Sequence, residues 1–167
     1  MVLQDVIYEG CRDFAKCPSR GQWIIAYGEN GTGKSTVAKA VARWANRMAV
    51  HLPLVVDDQG VRLATCQYVH WPKLMYEMKN GAWDIIDGIL PADLLILDDV
   101  GAEQDPSRIA VERLYLVLEE RVKRWTMITT NFGPDNWETR FERRIASRFL
   151  RNSRHVALDQ VPDWNSR

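Results

Sequence analysis

Short apolar runs alternate along the chain with longer segments in which apolar residues recur at helical spacing. The apolar runs predict strands over residues 22–27, 66–70, 94–97, 126–130 and 155–158. The helical spacing predicts helices over residues 3–16, from 35 to about 51, from 72 to about 80, from 106 to about 125 and from 134 onward. Residues 54–65, which contain an Asp-Asp-Gln-Gly turn, form either a loop or a small hairpin. Strands that alternate with helices predict an α/β fold around a mostly parallel sheet.

The length of 167 residues is enough for one domain with a substantial core. No internal repeat and no linker is evident in the sequence. We therefore expect a single domain over 1–167, made of an N-terminal helix (1–20), a core (21–158) and a tail (159–167).

The composition is that of a globular protein, with 46% hydrophobic and 26% charged residues. No apolar run approaches the roughly 20 residues of a membrane span, and the first residues lack the basic-then-apolar order of a secretory signal. The three cysteines, Cys11, Cys17 and Cys66, are an odd number without metal-ligand spacing. These features predict a cytoplasmic protein with reduced thiols and no membrane partner.

Charge is unevenly distributed although the net charge is zero. Residues 93–105 contain five carboxylates and no base, whereas residues 140–154 contain six arginines and one acid, Glu142. A run of like charge is often only a solvated face, so the basic block leaves open whether the protein binds nucleic acid.

A glycine-rich loop follows the first predicted strand and precedes a predicted helix. Its pattern, Gly-x-x-x-x-Gly-Lys-Ser, is that of a phosphate-binding loop in its expected context. Glycines let the backbone curl so that several amide groups meet one polyphosphate, and the helix N-terminus adds partial positive charge. The lysine supplies a cation for the β- and γ-phosphates, and the serine hydroxyl is a ligand for Mg²⁺. The predicted ATP/ADP-binding residues are Gly28, Glu29, Asn30, Gly31, Thr32, Gly33, Lys34, Ser35 and Thr36.

Two carboxylates follow the apolar run 94–97. A buried carboxylate is costly unless it is paired or binds a metal, so we expect Asp98 to orient Mg²⁺ through the waters of the ion, together with the Ser35 hydroxyl. Asp99 is expected to polarise the water that attacks the γ-phosphate. The alternative is a surface turn, which the preceding phosphate loop disfavours. Asn131 ends the next apolar strand and is expected to hold that water or contact the γ-phosphate, although asparagine is also common in turns.

Four segments carry a family resemblance: GENGTGKST, LLILDDVGAE, TMITTNF and FERRIASRFL. The first three resemble Walker A, Walker B and sensor 1 of AAA+ ATPases. The residues of all four segments are similar to those of bacterial or phage helicase loaders of the DnaC/DnaI kind, with IstB-type transposition ATPases as close relatives. The resemblance implies a three-layer α/β/α core, an ATP-dependent homo-oligomer, and single-stranded DNA and a replicative DNA helicase as partners. It also implies that an arginine from the neighbouring subunit completes each site, and Arg148 occupies the matching position.

Some features depart from this pattern or leave alternatives open. Asp99 stands where many AAA+ proteins have glutamate, and the shorter side chain predicts slow hydrolysis. We expect little or no C-terminal lid. Arg148 is otherwise part of one exposed basic ridge with Arg140 and Arg144. Besides a loader and an IstB-like helper, a small-molecule P-loop kinase and a nucleotide-gated adaptor that barely hydrolyses ATP remain open.

The remaining expectations concern aromatic and basic side chains. Trp44, Trp125 and Trp137 fall on helical stripes and are expected in the core. Trp71 and Trp83 are the candidates for base stacking. For Arg121, a snorkelling or salt-bridged role is expected rather than catalysis.

Overall fold

The computed structural model describes residues 12–13, 21–48, 55–57, 60–62, 64–104 and 108–158. Two predicted segments lie outside the described residues. They are the tail at 159–167 and the helix at 3–16, of which only Arg12 and Asp13 are described. No helix within the described residues is long and apolar enough to cross a bilayer.

The strands and helices alternate as the pattern predicts. The strands are β1 (Trp23–Tyr27), β2 (Val55–Asp57), β3 (Gly60–Arg62), β4 (Cys66–His70), β5 (Leu94–Asp98), β6 (Trp125–Thr130) and β7 (Ser153–Ala157). The helices are α1 (Lys34–Met48), α2 (Trp71–Lys79), α3 (Ile85–Ile89), α4 (Ile109–Glu120) and α5 (Pro134–Asn152).

Five strands form one parallel sheet in the order β4-β5-β6-β1-β7. The strands β2 and β3 pair antiparallel, so the segment 54–65 contains the small hairpin. Tyr27 pairs with Thr130, and Leu97 pairs with Ile128. Strand β6 therefore separates β1 from β5, and the carboxyl ends of all three strands meet at one edge of the sheet.

Alternating strand residues build a core on each face of the sheet. Trp23 and Ile25 face the layer of α2, α4 and α5, where the larger apolar cluster also contains Trp137 and Phe141. Ile24 and Ala26 face the α1 layer. The predicted three-layer α/β/α arrangement is confirmed.

Helix α4 is shorter than the apolar stripe predicts. It ends at Glu120, and a turn follows in which the Arg124 amide donates to the Arg121 carbonyl at 3.0 Å. Trp125 is buried, as predicted, but as the first residue of β6 rather than on a helix, and Val122 is 46% exposed. The short helix α3 was not predicted, because five residues are too few to show helical periodicity.

Arg121 is fully buried and neither snorkels to solvent nor lies on a charged surface. Its guanidinium donates to the carbonyls of Leu90 and Ala92 at 2.8 Å each and to the Trp125 carbonyl at 2.5 Å. Burial, with a smaller effect of nearby Arg124, lowers the pKa of Arg121 to about 10, so the side chain stays charged at neutral pH. The snorkelling expectation is wrong, and this arginine instead ties the start of β6 to the segment before β5.

Replacing Gly21 with alanine is expected to lower the free energy of unfolding by about 1–3 kcal/mol. A Cβ at Gly21 would lie 2.3 Å from the backbone carbonyl carbon of Arg124, and neither backbone segment can yield easily. Urea denaturation measures the change. Gly88→Ala is the matched control, since a Cβ there meets nothing within 4 Å. It is expected to keep the stability or raise it by up to about 1 kcal/mol. Equal losses in both variants would contradict this packing.

Candidate nucleotide-binding site

The predicted phosphate loop connects β1 to α1. Gly31 (φ 83°) and Gly33 (φ 88°) have left-handed backbone conformations that other residues rarely adopt. Helix α1 begins at Lys34, and its first turn is closed by the Val37 amide, which donates to the Gly33 carbonyl at 3.0 Å. The loop therefore ends on a helix N-terminus, where free amide groups and partial positive charge favour an anion.

Lys34 is folded into this loop and is only 7% exposed. Its Nζ donates to the Gly28 carbonyl at 2.7 Å and to the Glu29 carbonyl at 2.5 Å. The ammonium thus holds the curl of the loop closed. A buried cation beside a helix N-terminus is a strong attraction for a polyphosphate.

The hollow of the loop has room for a ligand. A Cβ built on Gly33 meets nothing within 4 Å, so the glycine is required for its backbone conformation and the space beside it is open. An open, cationic curl of main chain fits the triphosphate of a nucleotide.

Asp98 ends β5 and is held by two hydroxyl groups. It is 1% exposed, and its oxygens accept hydrogen bonds from Tyr68 Oη and Thr129 Oγ1, each at 2.5 Å. Burial, together with the bond to Asp98, raises the pKa of Tyr68, so this phenol remains a donor. The carboxylate is fixed on both sides at the edge of the sheet.

Asp99 turns the chain away from the strand with a left-handed backbone (φ 63°), which aspartate tolerates better than most residues. Its Oδ1 accepts a long hydrogen bond of 3.4 Å from Asn131 Nδ2, and its Oδ2 lies 3.9 Å from His70 Nε2. The Asp99 side chain is 31% exposed, which leaves room for water. The structure brings Asp99 and Asn131 together, because β5 and β6 are neighbouring strands.

The loop and the two aspartates lie at the same edge of the sheet. One strand, β6, separates β1 from β5, which places their ends about 10 Å apart. Ser35, in the first turn of α1, and Asp98 supply hydroxyl and carboxylate oxygens, the donors that Mg²⁺ prefers. The described residues contain no group of three or more metal-ligating side chains. The oxygen donors fit a magnesium ion that takes its other ligands from phosphate and water.

Three neighbours of the aspartates were missed by sequence reasoning. The apolar pattern gives no signal for a role of His70, or for Tyr68 and Thr129 as partners of Asp98. Thr129 accepts from the Asp99 amide at 2.8 Å while donating to Asp98, so one hydroxyl positions both acids. These side chains are recognisable only once β4 and β6 are known to flank β5.

Arg148 lies against α4. Its guanidinium stacks on the Tyr115 ring at 4.8 Å and forms an ion pair with Glu119, and its side chain is 26% exposed. Arg144 stacks on the same ring at 4.4 Å. These contacts hold the guanidinium on the flank of its own subunit.

The exposed ridge of three arginines is not what the structure shows. Arg140 is 23% exposed, and its guanidinium donates to the Gly101 carbonyl and forms an ion pair with Glu103 at 3.0 Å. Helix α5 is interrupted at Glu142 (φ 70°), between Arg140 and Arg144. The break and the ion pair separate Arg140 from the other two arginines.

Comparisons with known proteins agree with this geometry. A family model described as IstB-like ATP binding protein matches residues 14–157. The crystal structure of DnaI is 18% identical, with a TM-score of 0.71 over 96% of this chain and 83% of that chain. The DnaC helicase loader is 19% identical, with a TM-score of 0.68 over 92% of this chain and 89% of that chain.

A third similar structure is replication initiator DnaA bound to AMPPCP and single-stranded DNA, which is 18% identical with a TM-score of 0.66. The match covers 92% of this chain and 46% of the DnaA chain, so this chain spans about half the length of that DnaA. At these identities the likeness establishes the AAA+ fold. A search of curated proteins gives no match.

Proposed function

The chain belongs to the family of IstB-like ATP-binding proteins, and from this premise we propose that it is a Mg²⁺-dependent AAA+ ATPase that acts on DNA. Its specific task is to load or remodel a replicative DNA helicase on single-stranded DNA. The observation that carries the proposal is the pairing of a cationic phosphate loop with two positioned carboxylates at one sheet edge.

The proposed chemistry follows from the positions of these groups. The loop amides and Lys34 bind the triphosphate. Ser35 and Asp98 would hold Mg²⁺, which would neutralise phosphate charge. Asp99 and Asn131 orient the attacking water on the exposed side of the aspartate. Hydrolysis by the protein alone is expected to be slow with an aspartate at this position. We expect turnover to rise when the helicase or DNA is bound.

We further propose that the protein assembles into an ATP-dependent homo-oligomer in which Arg148 reaches the site of a neighbouring subunit. A guanidinium delivered across an interface would stabilise the charge that develops on the transferred phosphoryl group. The stacking on Tyr115 supports this role, because it holds the guanidinium in one orientation on the flank of the subunit.

Pull-down with a replicative helicase, with and without Mg·ATP, tests the loader assignment. ATP-dependent capture of the helicase, together with turnover that rises with single-stranded DNA, is the expected result. Capture of a transposase without the helicase would contradict helicase loading while leaving the ATPase in place.

The second candidate function is that of an ATPase helper of DNA transposition. One observation favours it: the matching family model is the IstB-like one, and it covers most of the chain. The same ATP site serves both functions, so only the captured partner separates them. A small-molecule kinase would instead consume ATP when nucleosides are added and would ignore single-stranded DNA.

A further inference from the structure

Helix α1 carries a row of cations on its outer face. Lys39, Arg43 and Arg47 follow one another at intervals of four residues, which places them on one side of the helix over about 12 Å. All three are exposed, and Thr36 and Ala40 are the small exposed residues beside them. We call Lys39, Arg43 and Arg47 the α1 stripe.

Within the part of the chain that the structure describes, no carboxylate balances this charge. Between Lys34 and Met48 the sequence contains four cations and no carboxylate, in a chain whose net charge is zero. Among the described residues, no carboxylate forms an ion pair with the α1 stripe, whereas Lys73, Arg108, Arg140, Arg144 and Arg148 all have such partners.

The arrangement costs the isolated helix stability. Like charges four residues apart repel by a few tenths of a kcal/mol per pair. Arg47 lies in the last turn, where a cation interacts favourably with the helix dipole, but Lys39 and Arg43 have no such benefit. Concentrated, unbalanced charge in a neutral protein points to a partner of opposite charge.

We infer that the α1 stripe binds the phosphodiester backbone of a nucleic acid. A straight row of three cations matches a linear polyanion, since 12 Å corresponds to the rise of about three to four nucleotides in one strand. The small side chains of Thr36 and Ala40 let a backbone approach the helix closely. Because the contacts are to phosphates, they carry affinity and orientation rather than sequence preference. This inference rests on the proposed action on DNA and names the surface that holds it.

The α1 stripe lies on the same helix whose N-terminus faces the proposed ATP site, so one helix would contact both ATP and nucleic acid. Helix α1 starts at Lys34, which contacts the phosphate loop, and the stripe begins five residues further along the same helix. A nucleic acid bound along α1 therefore touches the element whose N-terminus faces the nucleotide. The six arginines of residues 140–154 are not needed for this contact.

The test is the salt dependence of binding, measured by fluorescence anisotropy with labelled oligothymidine and, in a second arm, a labelled duplex of mixed sequence. The variant carries Lys39→Gln, Arg43→Gln and Arg47→Gln. The slope of log affinity against log salt is expected to become shallower by about 2 for the single strand or about 3 for the duplex. The arm whose slope falls by the full amount expected for it identifies the nucleic acid.

The matched control removes the same charge elsewhere, with Lys73→Gln, Lys79→Gln and Lys123→Gln, all of which are exposed. Its slope is expected to equal that of the wild type. The single variant Arg43→Gln, expected to lose about 0.7 of slope on the single strand, is the fallback if the triple variant folds poorly. Affinity for a fluorescent ATP analogue, unchanged in every variant, verifies folding.

A wild-type slope in the triple variant would overturn the inference while leaving the proposed function intact. Absence of oligonucleotide binding by the wild type, with or without Mg·ATP, would instead remove DNA from the proposed function, and the inference with it.

Discussion

Replacing Arg148 with alanine is expected to lower ATP turnover of the assembled protein by about 10³- to 10⁵-fold, which is the typical contribution of an arginine finger to the turnover rate. Nucleotide affinity is expected to stay the same, because the Arg148 guanidinium contacts Tyr115 and Glu119 rather than the phosphate loop of its own subunit. The rate of phosphate release in the presence of single-stranded DNA and the replicative helicase measures the loss of turnover.

A mixing experiment tests whether this arginine acts between subunits. In the proposed assembly, subunits with Arg148→Ala are expected to bind ATP but to receive no arginine from one another, whereas subunits with Lys34→Ala still carry the arginine. Mixing the two variants is expected to restore part of the turnover that neither shows alone. Arg151→Ala, an exposed arginine on the same helix, is the control and is expected to behave like the wild type. Failure of the mixture to recover any turnover would contradict a role in the neighbouring site.

The second large effect is expected for Asp99→Asn. Because we propose that this carboxylate polarises the attacking water, its loss is expected to lower the turnover rate by about 10²- to 10⁴-fold while ATP still binds. The amide keeps the shape of the side chain and its contact with Asn131, so the change isolates the charge. Single-turnover hydrolysis together with ATP affinity separates the chemical step from binding.

Asp99→Glu is the matched variant, because it restores the longer carboxylate that is common in AAA+ proteins. It is expected to hydrolyse ATP at least as fast as the wild type. If Asp99→Asn supports full partner-dependent function and Lys34→Ala does not, the protein is a nucleotide-gated adaptor and the hydrolytic assignment is wrong.

Much of the site was predictable because its main residues occur where the pattern of apolar strands ends. Asp98, Asp99 and Asn131 directly follow apolar runs, and parallel strands bring such ends to one edge of a sheet. The glycine loop was equally clear, since a strand before it and a helix after it are local features. Each of these predictions needed only the order of elements along the chain.

What could not be predicted depends on which strands are neighbours. Tyr68 and Thr129 are about 30 residues from Asp98 in the sequence, and each reaches it only because β4 and β6 flank β5. Single-sequence periodicity contains no information on that order. Arg121 was misjudged for the same reason, because its carbonyl partners at Leu90 and Ala92 precede β5.

Burial of individual tryptophans was also not predictable from the sequence. Trp71 was a candidate for base stacking but is fully buried at the start of α2, so that expectation is wrong. Trp83 is 46% exposed and lies under the Arg113 guanidinium at 5.2 Å, so it remains a candidate. Both residues lie near turn-forming glycine or proline in the sequence. Only the packing of α2 on the sheet distinguishes them.

Calorimetric titration with Mg·ATP tests the central claim most directly, that the loop around Lys34 binds the triphosphate. The wild type is expected to bind, and Lys34→Ala is expected to lose about 10²- to 10⁴-fold in affinity, the effect expected if the ammonium donates two hydrogen bonds to the bound triphosphate. Lys39→Ala, on the exposed face of the same helix, is expected to bind ATP as the wild type does. No heat of binding with the wild type, or equal affinity in all three proteins, would contradict the assignment.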